Sequence, residues 1–128
     1  MHRKLIPTAA IIGMTAIVLG AFGAHALKKV LTIEQLVTFE TGVKYQMYHA
    51  LFLLFVAIAP HVSENAKRGI LYLVIFGVLF FSGSIYLLAT DDLIAFNAKS
   101  IGFITPIGGL LLIVAWFWLF IDFLGKKS

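Results

Sequence analysis

The chain has 128 residues, of which 61% are hydrophobic and only 12% charged, so it lacks the polar surface needed to coat a water-soluble globule. Part of its solvent must be lipid, a conclusion matched by a mean hydropathy of +1.01. The formal net charge of +4 comes from residues at the ends of apolar runs and includes no Lys/Arg run interleaved with aromatics, which argues against nucleic acid as a partner. Cysteine is absent, which excludes disulfides, thiolate metal sites, iron–sulfur clusters and cysteine nucleophiles.

Four apolar runs follow one another at approximately 5–27, 43–59, 69–89 and 101–124. About 20 helical residues cross a hydrocarbon core of about 30 Å, so each run predicts a membrane span, the second being the shortest. The first opens on Met1-His2-Arg3-Lys4 and closes near Ala24-His25-Ala26, which imitates a cleavable signal peptide. Its apolar run is longer than a usual signal core, and it is expected to be a true span.

Before the second run, Thr32 and Gln35 have the spacing of a capping box, and Ile33, Leu36 and Val37 share one helical face. Thr32–Thr41 is therefore expected to be an interfacial amphipathic helix, with Gly42 as a bend into a second span that Pro60 closes. The connections are too short to fold alone, so the whole chain, 1–128, is expected to form one membrane domain.

Lys/Arg distribution predicts orientation. One side carries Arg3, Lys4, Lys67, Arg68, Lys126 and Lys127, the other Lys28, Lys29, Lys44 and Lys99. The positive-inside rule then puts both termini in the cytoplasm. Asp122 is spaced to pair with Lys126, and Trp116 and Trp118 approach an aromatic belt on that side.

Residues that a lipid-facing helix does not need mark candidate functions. Gly13 and the small-xxx-small series Ala16, Gly20 and Ala24 in the first span allow close helix contact, as do Gly83, Gly108 and Gly109 in the third and fourth. Polar candidates for a ligand site are His25, Gln46, His49, Ser82, Ser84, Tyr86 and Thr105. With spans alternating in direction, all of these fall in one half of the bilayer, which the charge rule makes the extracytoplasmic half. Gln46 and His49 are i,i+3 neighbours, and polar groups in hydrocarbon need partners, so His49 should face the interior. It reads either as a hydrogen-bonded packing residue or as a ligand or proton-handling group. Two histidines without a co-located carboxylate fall short of a metal site, and no acid or oxyanion loop accompanies the serines. No catalytic residue, metal or cofactor is therefore expected.

Motifs in all four runs together resemble a family of small membrane proteins called domain of unknown function 423, to which eukaryotic transmembrane protein 256 belongs. They are Gly20-Ala-Phe-Gly-Ala-His-Ala-Leu27, Tyr45-Gln-Met-Tyr-His-Ala-Leu51, Phe81-Ser-Gly-Ser-Ile-Tyr86 and Ile104-Thr-Pro-Ile-Gly-Gly109, in order along the chain. The resemblance implies a four-span protein, typically of a bacterial cytoplasmic membrane or the mitochondrion, and implies no activity.

The fold expected is thus an all-α integral membrane protein, an antiparallel four-helix transmembrane bundle with an interfacial segment between its first two spans. The function expected is non-enzymatic contact with membrane lipids, a second copy or a larger membrane complex. The alternative is a binder or carrier of a lipid, quinone or small solute. An intramembrane enzyme is the third class, because a histidine alone can perform acid–base work.

Overall fold

The computed structural model describes residues 2–93 and 101–127, and the described chain is helical almost throughout. Helix α1 covers His2–His25, followed by a 3-10 turn at Leu27–Lys29. Helix α2 covers Ile33–Ile58, α3 Glu64–Thr90 and α4 Ile104–Lys127. Lys99, used above to judge orientation, lies outside the described residues.

Local chemistry accounts for each boundary. The capping box forms at the start of α2: Gln35 N–H donates to Thr32 Oγ1 at 3.1 Å, and Thr32 N–H donates to Gln35 Oε1 at 2.9 Å. The expected bend at Gly42 does not occur, and α2 runs unbroken through 26 residues. Gly42 instead makes room for a neighbour, since a Cβ there would stand 2.6 Å from Tyr86 Cε1. Pro60 ends the helix by pushing Ala59 into extended backbone (φ −69°, ψ 117°).

Ser63 caps α3, its Oγ accepting from Ala66 N–H at 3.1 Å. The cap is held from α4, because Asp122 accepts from Ser63 N–H at 2.9 Å and from Ser63 Oγ at 2.8 Å. The carboxylate that spacing assigned to Lys126 therefore anchors a helix N-terminus; the side chain of Lys126 lies outside the described residues. Pro106 falls in the first turn of α4, where its missing N–H would have had no intrahelical partner.

Each helix packs chiefly against the next in the chain: α1 on α2, α2 on α3, α3 on α4. The face that α1 turns to α2 is a near-heptad of Leu5, Ala9, Gly13, Ala16, Gly20 and Gly23, continued by Leu27 of the 3-10 turn. Cβ atoms built on its glycines would lie 3.5 Å from Ala50 at Gly13, 3.4 Å from Val43 at Gly20 and 3.1 Å from Phe39 at Gly23. Ala24, expected in this ridge, is exposed and Gly23 takes its place.

Residue numbers thus rise along α1 as they fall along α2. The same holds for α3 against α4, where Gly69 meets Trp118, and Gly77 meets Leu112 and Gly108. At Gly108 a Cβ would stand 2.3 Å from the backbone nitrogen of Phe81, so the two helices touch through their main chains.

One apolar core joins Leu5, Phe52, Leu53, Val56, Ile70 and Val74 to Leu112 and Ala115, and a smaller one gathers Leu27, Leu31, Phe39 and Ala89. Outside these cores, large side chains such as Ile17, Leu79 and Phe117 are 60–65% exposed, a surface that suits hydrocarbon and not water. Among the described residues, three helices are long and apolar enough to cross a membrane: Arg3–Lys29, Glu64–Thr90 and Ile104–Gly125. Helix α2 is not among them. It has the length, but Lys44, Gln46 and His49 dilute its apolar stretch.

Candidate functional site

Because α2 begins at Ile33, ten residues before the apolar run at Val43, Gln46 and His49 sit near its middle. Gln46 is 6% exposed and His49 4% exposed, and each reaches a different neighbour. Gln46 Nε2 donates to the carbonyl of Ile12 at 2.9 Å and to Thr15 Oγ1 at 2.7 Å. Its Oε1 accepts from the Tyr86 hydroxyl at 2.6 Å. One amide therefore ties α1, α2 and α3 together. Thr15 has both functions of its hydroxyl in use, since it also donates back to the Ile11 carbonyl at 2.9 Å.

His49 is bonded at both ring nitrogens. Nδ1 lies 2.7 Å from the Tyr45 carbonyl one turn back, and Nε2 takes the indole N–H of Trp116 at 3.0 Å. An indole nitrogen only donates, so Nε2 must carry a lone pair and Nδ1 the proton: the imidazole is neutral and joins α2 to α4. Phe52 stacks on the same indole with centroids 4.0 Å apart. Trp116 is thus a partner of His49.

The remaining polar residues form two further links. Ser82, fully buried, donates to the Gly42 carbonyl at 2.7 Å, joining α3 to α2. Ser84 bonds Thr105 across the α3–α4 contact and also donates to the Phe81 carbonyl at 3.1 Å. The residues singled out from sequence do not share one pocket. Gln46 and Tyr86 meet, with Ser82 beside Tyr86, Ser84 and Thr105 meet, and His49 acts separately. His25 stands apart, exposed at the end of α1.

Thr15 and Trp116 escaped sequence reasoning as partners. Thr15 was hidden in an apolar run, and its only signal was being a hydroxyl at helical mid-depth. Lys67 was also missed. It is 5% exposed, and its Nζ donates at 3.1 Å to the Ala57 carbonyl near the C-terminus of α2, where a cation opposes the helix dipole. Lys67 and Asp122 show that polar side chains also work at the opposite end of the helices from Ser84 and Thr105. Among the described residues, no buried side-chain nitrogen or oxygen lacks a partner, and no group of three His, Asp or Glu residues could hold a metal ion.

Two larger grooves open on the surface. One, of about 600 Å³, runs between α1 and α3 over Gln46, with Thr8, Ile11, Ile75, Leu79, Gly83 and Tyr86 among its walls. The other, of about 630 Å³, lies between the C-terminal halves of α2 and α4 and is almost wholly apolar. Gly83, expected to support helix packing, faces open space, with nothing within 4 Å of a Cβ placed on it.

Helices with lipid-compatible outer faces, joined inside by paired polar side chains, define a small all-helical membrane protein. The chain belongs to the family described as "Protein of unknown function (DUF423)", whose match covers residues 19–109. It is 42% identical to a UPF0382 membrane protein of Staphylococcus saprophyticus over 93% of this chain and 95% of the relative. Identity is 37% to the UPF0382 membrane protein YwdK of Bacillus subtilis, covering 89% of this chain and 90% of the relative. It is 34% to the UPF0382 inner membrane protein YgdD of Escherichia coli, covering 89% and 84% respectively. No solved structure matches the chain.

Proposed function

We propose that the chain is a four-span antiparallel bundle of the bacterial cytoplasmic membrane that acts through contact with other membrane components and not by catalysis. In this reading α2 crosses the bilayer although its own composition is marginal, because Gln46 and His49 are bonded inside the protein. The first turns of α2, with Glu34 and Glu40, lie at the interface, and the termini face the cytoplasm with Arg3, Lys4, Lys67 and Arg68.

One observation carries the functional part. Among the described residues every buried side-chain nitrogen and oxygen has a partner, and the buried or part-buried Gln46, His49, Ser82, Ser84, Tyr86 and Thr105 spend their polar groups on holding the fold. What remains for function is the outer surface, presented mainly by α1 and α4, which pack chiefly against α2 and α3 respectively. The partners are membrane lipids and either a second copy or a larger membrane complex; nucleic acid is not among them.

Photo-crosslinking in intact cells tests this. A crosslinker replacing Ile17 on α1 or Phe117 on α4, both outward-facing, should give discrete protein adducts of defined mass from at least one position. Lipid adducts alone from both positions would refute contact with a protein. Reporter fusions at the two termini should both read cytoplasmic; one on the opposite side would overturn the orientation.

A further inference from the structure

The groove between α1 and α3 has features that a lipid-facing cleft does not require. Both helices start at the same end, since each runs opposite to α2. On α1 the groove-lining series Thr8, Ile11 and Thr15 continues back one turn to Lys4, and Pro7 continues back to Arg3. On α3 the series Ile75, Leu79, Gly83 and Tyr86 continues back two turns to Arg68.

Three exposed cations from two helices therefore stand above one apolar cleft. The same end carries Arg3, Lys4, Lys67 and Arg68 against Glu64 and Asp122, and Asp122 is already bonded to Ser63. From Ile75 to Tyr86 the cleft follows eleven residues of helix, about 16 Å, which is about half of a 30 Å hydrocarbon core. It is closed at its inner end by the Thr15–Gln46–Tyr86 bonds.

We propose that this cleft is the seat of one anionic phospholipid from the leaflet on the Arg3/Lys4 side. Its phosphate lies among Lys4, Arg3 and Arg68, and one acyl chain fills the groove down to Gln46. Charge complementarity selects the headgroup, and the depth of the groove matches the chain of a single leaflet. Gly83 is the opening in the α3 wall that admits the chain, because any side chain there would occupy the same space. The inference rests on the membrane-spanning reading and is independent of any protein partner.

Native mass spectrometry of the detergent-extracted protein tests it, with phosphatidylglycerol or phosphatidylethanolamine of matched chains added back. One phosphatidylglycerol should be retained per chain, at least tenfold more tightly than phosphatidylethanolamine. Gly83→Leu should remove that adduct while circular dichroism and the elution volume stay unchanged. Should Gly83→Leu fail to fold, Ile11→Phe blocks the same cleft from the other wall. The double variant Lys4→Gln/Arg68→Gln should keep a lipid adduct but lose the headgroup preference. Equal retention of the two lipids, or a full adduct on a folded blocked variant, would overturn the proposal. A protein adduct from Ile17 or Phe117 has no bearing on these results, so the two readings fail separately.

Discussion

Replacing Gly108 by alanine should separate α3 from α4. A methyl group there would stand 2.3 Å from Phe81 N, 2.7 Å from Phe80 C and 2.8 Å from Phe81 Cα. All three are main-chain atoms of a neighbouring helix, so no rotamer change relieves the clash. Restoring an ordinary contact of about 3.4 Å requires the helices to part by roughly 1 Å locally, at a cost of about 1–3 kcal/mol in overpacking. The same displacement strains the Ser84–Thr105 bond in the adjoining turn; an interhelical hydrogen bond in a membrane protein is worth about 0.6 kcal/mol, at most about 1.7. The sum is about 2–5 kcal/mol, measurable by SDS-induced unfolding followed by circular dichroism. Gly109→Ala and Gly83→Ala are the controls, since their new methyls meet ring carbons of Phe81 at 3.5 Å and open space respectively. Both should be neutral or slightly stabilising through helix propensity. Gly108→Ala unfolding within about 0.5 kcal/mol of Gly109→Ala would sink the claim that backbone contact governs this seam.

Three more outcomes follow from the internal bonds. Gln46→Leu loses bonds to two helices and leaves the Tyr86 hydroxyl without its acceptor, so it should cost about 1–3 kcal/mol. Adding Tyr86→Phe should cost less than the sum of the two single changes, and strict additivity in the double-mutant cycle would argue against the bond. In a Trp118→Phe background, His49→Ala should shift Trp116 emission by removing its indole partner, whereas His49→Gln retains an acceptor and should shift it less; identical spectra for all three proteins would refute the pairing. Ser63→Ala removes both the α3 cap and the hydroxyl bond to Asp122, and should lower stability by about 1 kcal/mol with faster amide exchange confined to the first turn of α3; unchanged exchange there would count against it.

Much of this architecture was legible from the chain alone, because it follows from one-dimensional signals. Helix lengths come from apolar run lengths, and the start of α2 comes from Thr32 and Gln35, whose capping box forms as their spacing predicts. What spacing could not supply is rotational phase across helices. Eight residues turn a helix about 80° past its starting direction, whereas seven fall only about 20° short. A small-residue series at 16, 20 and 24 therefore drifts off the contact face, and Gly23 rather than Ala24 meets Phe39. The partners of Gln46 and His49 depended on the same phase: nothing in an apolar run marks Thr15, or Trp116 among its aromatic neighbours, as the residue whose polar atom reaches α2. Gln46 and His49 lie mid-helix because α2 begins ten residues before the apolar run at Val43, where the Thr32–Gln35 spacing places its start. Asp122 was visible, but its capping of Ser63 joins positions 59 residues apart, beyond any local rule.

The groups that satisfy Gln46 on α1, the Ile12 carbonyl and the Thr15 hydroxyl, belong to the helix synthesised immediately before α2. Entering lipid alone, α2 would carry an unsatisfied amide and imidazole; entering as a hairpin with α1, it has acceptors for the amide at once. The Nδ1–H of His49 has its acceptor within α2, the Tyr45 carbonyl, but the donor to its Nε2 arrives only with Trp116, 67 residues further along the chain. In the four-span reading proposed above, biogenesis then has a built-in sequence, in which the first hairpin inserts as one unit and its last polar debt is cleared when the fourth helix docks.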